Sequence, residues 1–68
     1  MATFQAGLGR MLNGNLVIYD SVTIENDSSV GAVERAKSWA STVEQHDESW
    51  LQVVYNGKAV ASLKPGEF

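Results

Sequence analysis

The chain has 68 residues, no cysteine, and eight Asp and Glu against five Lys and Arg, for a net charge of -3. That length suits one small domain, which buries only about 60 % of the surface its unfolded chain exposes, and without cysteine neither disulfides nor thiolate metal sites add stability. The acidic balance disfavours nucleic acid as a partner. The first residues lack a basic start with a long apolar core, and no run approaches the ~20 apolar residues of a membrane span, so a soluble, cytoplasmic protein without membrane association is expected.

Residues 2–12 and 16–25 are rich in strand formers and flank Asn13, Gly14 and Asn15. Asn-Gly between such runs signals a hairpin, because both residues tolerate positive φ. A two-residue loop splits the apolar set, placing Phe4, Ala6 and Leu8 opposite the face of Ile18, Val22 and Ile24. A three-residue loop, or an equivalent bulge, brings Phe4, Ala6, Leu8 and Leu12 onto the face of Leu16, Ile18, Val22 and Ile24. Since a one-residue slip moves every side chain across the sheet, burial favours the second register. Arg10 and Asp20 interrupt that face and read as a rim ion pair of small value. Gly7 and Gly9 form a Gly-x-Gly inside a strand pattern. They lack the following helix that would make a phosphate cradle, so they point to a bulge or a close approach to the backbone.

Residues 28–45 read as the single helix. At about 100° per residue, Ala32, Val33, Ala36, Trp39, Ala40 and Val43 fall in one arc about 120° wide, with Trp39 as the largest apolar contributor. Asp27 or Ser28 can cap its start, and Glu25 and Asp27 suit the positive end of its dipole. Gly31 costs roughly 1 kcal/mol of helix propensity relative to alanine unless it permits close packing. The predicted core is Ile18, Val22, Ile24, Val33, Ala36, Trp39, Ala40 and Val43.

Glu44, Gln45, His46, Asp47 and Glu48 form the densest polar run and contain the single histidine. A carboxylate beside a histidine can bind metal or transfer protons, yet no nucleophile or orienting group accompanies it, and so small a domain offers little concavity. A solvated loop is expected, with no catalytic residue, metal site or cofactor.

Residues 50–55 and 58–63 flank Asn56-Gly57, which fits a two-residue turn with positive φ at both positions. In that register Trp50, Gln52, Val54, Ala59, Ala61 and Leu63 share one face, and Leu51, Val53, Tyr55, Lys58, Val60 and Ser62 the other. Lys64-Pro65-Gly66 ends the strand, and residues 64–68 are expected to form a tail.

The whole is an α+β single domain, hairpin, helix, hairpin. It implies a four-stranded, mostly antiparallel sheet in the order 2-1-3-4 with the helix on one face. One helix covers one side. If Trp50, Val54, Ala59, Ala61 and Leu63 take it, then Val17, Tyr19, Leu51, Val53, Tyr55 and Val60 make an open apolar face. That face is the candidate protein-interaction surface, for a protein partner or for a second copy as a homodimer. The expected function is therefore a non-enzymatic protein-interaction module. The alternatives are a small acidic inhibitor of the kind phages encode, set against the basic surface of a nucleic-acid-handling enzyme, and a metal-binding or catalytic domain centred on His46. Carboxylates clustered on one face would favour the inhibitor, and scattered ones the interaction module.

Overall fold

The chain reverses direction where two Asn-Gly pairs allow it. Asn13 and Gly14 have φ of 54° and 83°, and Asn56 and Gly57 have φ of 52° and 79°. Positive φ at both central residues makes each a two-residue turn whose twist matches the flanking strands. The structure, a computed structural model, describes residues 2–43 and 46–68, without the side chain of His46. Its elements are β1 (Ala2–Leu12), β2 (Asn15–Asn26), α1 (Ser29–Ala40), a 3₁₀ turn (His46–Glu48), β3 (Trp50–Tyr55) and β4 (Lys58–Leu63). The strands form one antiparallel sheet in the order β2-β1-β3-β4, with α1 against one face. This is the α+β architecture and strand order expected from the sequence. Among the described residues no helix is long and apolar enough to cross a membrane.

A two-residue turn alone would split the apolar residues of each hairpin between the two faces. Each hairpin corrects this with one extra residue. In the first, Leu8 pairs with Asp20 but Gly9 pairs with Ile18, so Tyr19 is bulged, and Val22 and Ile24 move onto the face of Phe4, Ala6 and Leu8. The expected three-residue loop is therefore replaced by the equivalent bulge. Leu16 and Ile18, on the turn side of the bulge, stay on the opposite face. In the second hairpin Val53 pairs with Ala61 but Val54 pairs with Ala59, so Val60 is the extra residue. Ala61 and Leu63 thereby join Leu51 and Val53 on one face. Turn chemistry is satisfied locally and burial is restored by the bulge.

The faces of β3 and of Ala59 are thus the reverse of those expected, while Ala61 and Leu63 face the helix as expected. Leu51 and Val53 lie beneath the helix at 1 % and 0 % exposure, while Trp50, Gln52 and Val54 are on the open face, half-buried. The core is Phe4, Ala6, Leu8, Ile24, Leu51 and Val53 from the sheet, and Ala32, Ala36 and Ala40 from α1. The alanines recur every fourth residue, and their short side chains let the helix sit close to the strands. Val22, Val33, Trp39 and Val43, expected in the core, are partly buried and pack at its margin. Ile18, assigned to the core from the sequence, is 41 % exposed on the open face.

The helix begins where predicted. Ser28 Oγ accepts the Gly31 N–H at 3.1 Å, and Asn26 Oδ1 accepts the Ser28 N–H at 3.2 Å. A Cβ on Gly31 would strike the Asn26 amide, so the glycine permits this second contact. The helix stops at Ala40, short of the expected Gln45. Ser41 and Thr42 donate their hydroxyls to the Ser38 and Trp39 carbonyls at 2.7 Å each, satisfying groups that a helix end leaves open. Glu44 and Gln45 lie outside the described residues, and with them part of the polar run expected to be a loop.

Residues 64–68 form a turn, not a free tail. Gly66 has φ of 87°, Glu67 N–H donates to the Lys64 carbonyl at 3.0 Å, and Lys64 N–H donates to Glu67 Oε1 at 2.6 Å. The turn brings Phe68 against the margin of the core, where its ring loses apolar surface to water.

Candidate protein-interaction surface

The first hairpin is far longer than the second. β3 pairs with β1 only from Gln5 to Gly9, so residues 10–17 project beyond β3 as a two-stranded arm, with Ile18 and Tyr19 at its base. Its eleven-residue strand accounts for the molecule's longest dimension of 34 Å, at about 3.3 Å per residue. A two-stranded ribbon has no layer to bury its side chains against. The consequence is visible in exposure: Met11 47 %, Leu12 56 %, Val17 47 %, Ile18 41 % and Tyr19 47 %.

Two polar contacts hold the base of the arm. Arg10 Nη2 meets Glu48 Oε2 at 3.5 Å, and both side chains are at least half exposed, so the pair is worth little energetically and serves to orient. Tyr19, displaced by the bulge, hydrogen-bonds through its hydroxyl to Ser49 Oγ. Ser49 is the one fully buried polar residue among the described residues, and the contact lets it be so without an unsatisfied hydroxyl. Arg10 was expected to face Asp20 across the rim. Arg10 pairs with Glu48, and the Asp20 carboxylate accepts the Ser21 N–H at 2.9 Å.

Gly9 is where the bulge and the arm meet. A Cβ there would run into the Val17 carbonyl, so the close approach of the two strands requires glycine. On the open face Ile18 rests over Gly7, with Ile18 Cγ2 3.0 Å from where a Cβ would stand. The register aligns Ile18, Gly9 and Trp50 in one row across the sheet. The next rows are Ser21, Gly7, Gln52 and Ser62, then Thr23, Gln5, Val54 and Ala59, with Gln5 Nε2 donating to Thr23 Oγ1 at 3.0 Å. The middle of the open face is therefore small and polar. Its apolar groups gather at the end that continues into the arm.

The six residues expected to form one open face divide three ways. Val17 and Tyr19 are exposed on the arm. Leu51 and Val53 are buried under the helix and are unavailable to a partner. Tyr55 stands at the rim of the helix side, its ring 5.0 Å from that of Phe4, and Val60 sits in a notch of about 270 Å³ with Val30, Val33 and Lys37. Met11, Leu12 and Ile18, not among the residues expected on the open surface, are exposed as well. The signal was present in the strand lengths, since a six-residue strand cannot cover an eleven-residue one.

A larger groove of about 840 Å³ runs between α1 and the edge strand β2, lined by Val22, Ile24, Glu25, Arg35, Ser38 and Trp39 among others. The described carboxylates are scattered over β2, the helix-start loop, α1, the 3₁₀ turn and the C-terminal turn. Among the described residues no three His, Cys, Asp or Glu side chains converge to hold a metal ion, and the side chain of His46 lies outside them. No protein-family model, curated protein or solved structure matches this chain.

Proposed function

We propose that the chain is a non-enzymatic protein-interaction module that meets its partner through the β1–β2 arm and the adjoining end of the open sheet face. The observation that carries this reading is the concentration of exposed large apolar residues. Five of the eight such residues, Met11, Leu12, Val17, Ile18 and Tyr19, lie within nine positions of the arm. The register sets Met11 and Ile18 on the open-face side of the arm and Leu12 and Val17 on the other, so apolar groups flank the arm on both sides, and exposed apolar surface concentrated in this way commonly marks a contact site. The scatter of carboxylates supports this reading over an acidic inhibitor, which needs a concentrated negative field.

The test is affinity capture from the native host, followed by reconstitution with the purified partner. Leu12→Lys and Val17→Lys, both on exposed positions, should abolish that binding while leaving the thermal midpoint within a few degrees of the parent's. Unchanged binding by both variants would refute the arm as the contact site.

A further inference from the structure

Independently of the arm, we infer that the edge of β2 pairs with a second copy of this chain, joining two sheets into one of eight strands. In an antiparallel strand the N–H and C=O of one residue point to the same side, and successive residues alternate. Two contacts set the phase along β2. The Ser21 N–H is taken by the Asp20 carboxylate at 2.9 Å, and the Glu25 C=O accepts from Arg35 Nη1 at 3.5 Å. Ser21, Thr23 and Glu25 therefore direct their main-chain groups away from β1. The side-chain contacts at Ser21 and Glu25 are exposed and exchangeable, standing where a neighbouring strand would bond.

The other edge does not offer this. β4 is broken in its middle by the Val60 bulge, whereas β2 runs unbroken from Asp20 to Asn26. A two-fold axis normal to the sheet at Thr23 sets Ser21 opposite the partner's Glu25 and Thr23 opposite its own copy. Such an isologous contact needs a surface complementary to itself. The groove beside this edge meets that need, since it carries both charge signs, Glu25 and Glu34 with Arg35, around the half-buried Trp39. A partner of one strong charge would find no matching field there.

Spacing favours the same occupant. The axis keeps both helices on one side of the joined sheet. With strands about 4.8 Å apart and α1 lying over β1, the two helices would stand about 14 Å apart, beyond the usual 8–10 Å of packed helices. Long side chains are needed to fill that gap. Glu34, Arg35 and Trp39 are the long side chains α1 presents to the groove.

Sedimentation velocity of the full chain from low to high micromolar concentration tests the inference. A concentration-dependent dimer is expected. Thr23→Pro removes an outward N–H at an edge, where proline is tolerated, and should weaken the dimer at least tenfold. Ser38→Glu, on the exposed helix flank, should do the same without altering the β2 backbone, which guards against misfolding of the proline variant. Leu12→Lys should leave the dimer intact. A monomer at every concentration, a dimer indifferent to both Thr23→Pro and Ser38→Glu, or one dissolved by Leu12→Lys would each overturn it.

Discussion

Val53 and its neighbour Val54 test the face assignment directly, because they differ in nothing but the side of the sheet. Val53 is fully buried beneath α1, in the cluster with Ala6 and Leu51, while Val54 is half-buried on the open face. Truncation of Val53 to alanine removes two carbons at about 0.8 kcal/mol each and leaves a cavity, for a total of about 2 to 3 kcal/mol. A domain of this length has roughly 3 to 10 kcal/mol of stability at 0.05–0.15 kcal/mol per residue. Each kcal/mol shifts the midpoint by about 4–8 °C at this size, so Val53→Ala should melt about 10 to 20 °C below the parent. Val54→Ala should cost less than about 1 kcal/mol, since it empties no closed space. Val53→Lys should not fold, because it buries a charge without a partner. Thermal unfolding followed by far-ultraviolet circular dichroism measures all three. A larger loss for Val54→Ala than for Val53→Ala would refute the assignment of faces on β3.

Other substitutions probe the remaining links. Gly9→Ala should cost more than about 2 kcal/mol in a urea titration, because its methyl meets the Val17 main chain and not a movable side chain. Ser28→Ala should cost about 1 kcal/mol by the same measurement, through loss of the bond to the Gly31 N–H. Gly31→Ala would ordinarily stabilise a helix by about 1 kcal/mol, but here it displaces the Asn26 amide from the Ser28 N–H, so a net change below about 0.5 kcal/mol is expected.

Local chemistry was legible in the sequence wherever a residue type dictates backbone geometry. Asn13-Gly14 and Asn56-Gly57 announce turns with positive φ, Ser28 caps the helix, and the recurrence of Ala32, Ala36 and Ala40 marks the buried stripe. The α+β class followed from those signals; the order 2-1-3-4 was one arrangement they allowed, and the assembled sheet decides it. Which face of each hairpin meets the helix was a different matter. A bulge leaves no residue signature at Tyr19 or Val60, yet each inverts the parity of everything beyond it, and this is why Leu51 and Val53 were assigned to the surface and Ile18 to the core. The pairing of Tyr19 with buried Ser49, thirty positions apart, was likewise invisible before the strands were aligned. Strand alternation is a local rule, but its phase belongs to the assembled sheet, where turn geometry and burial have to be satisfied together. The same holds for the arm: Leu12 and Ile18 fall on the core face in sequence, and only the shortness of the neighbouring strand and the bulge at Tyr19 leave them in water.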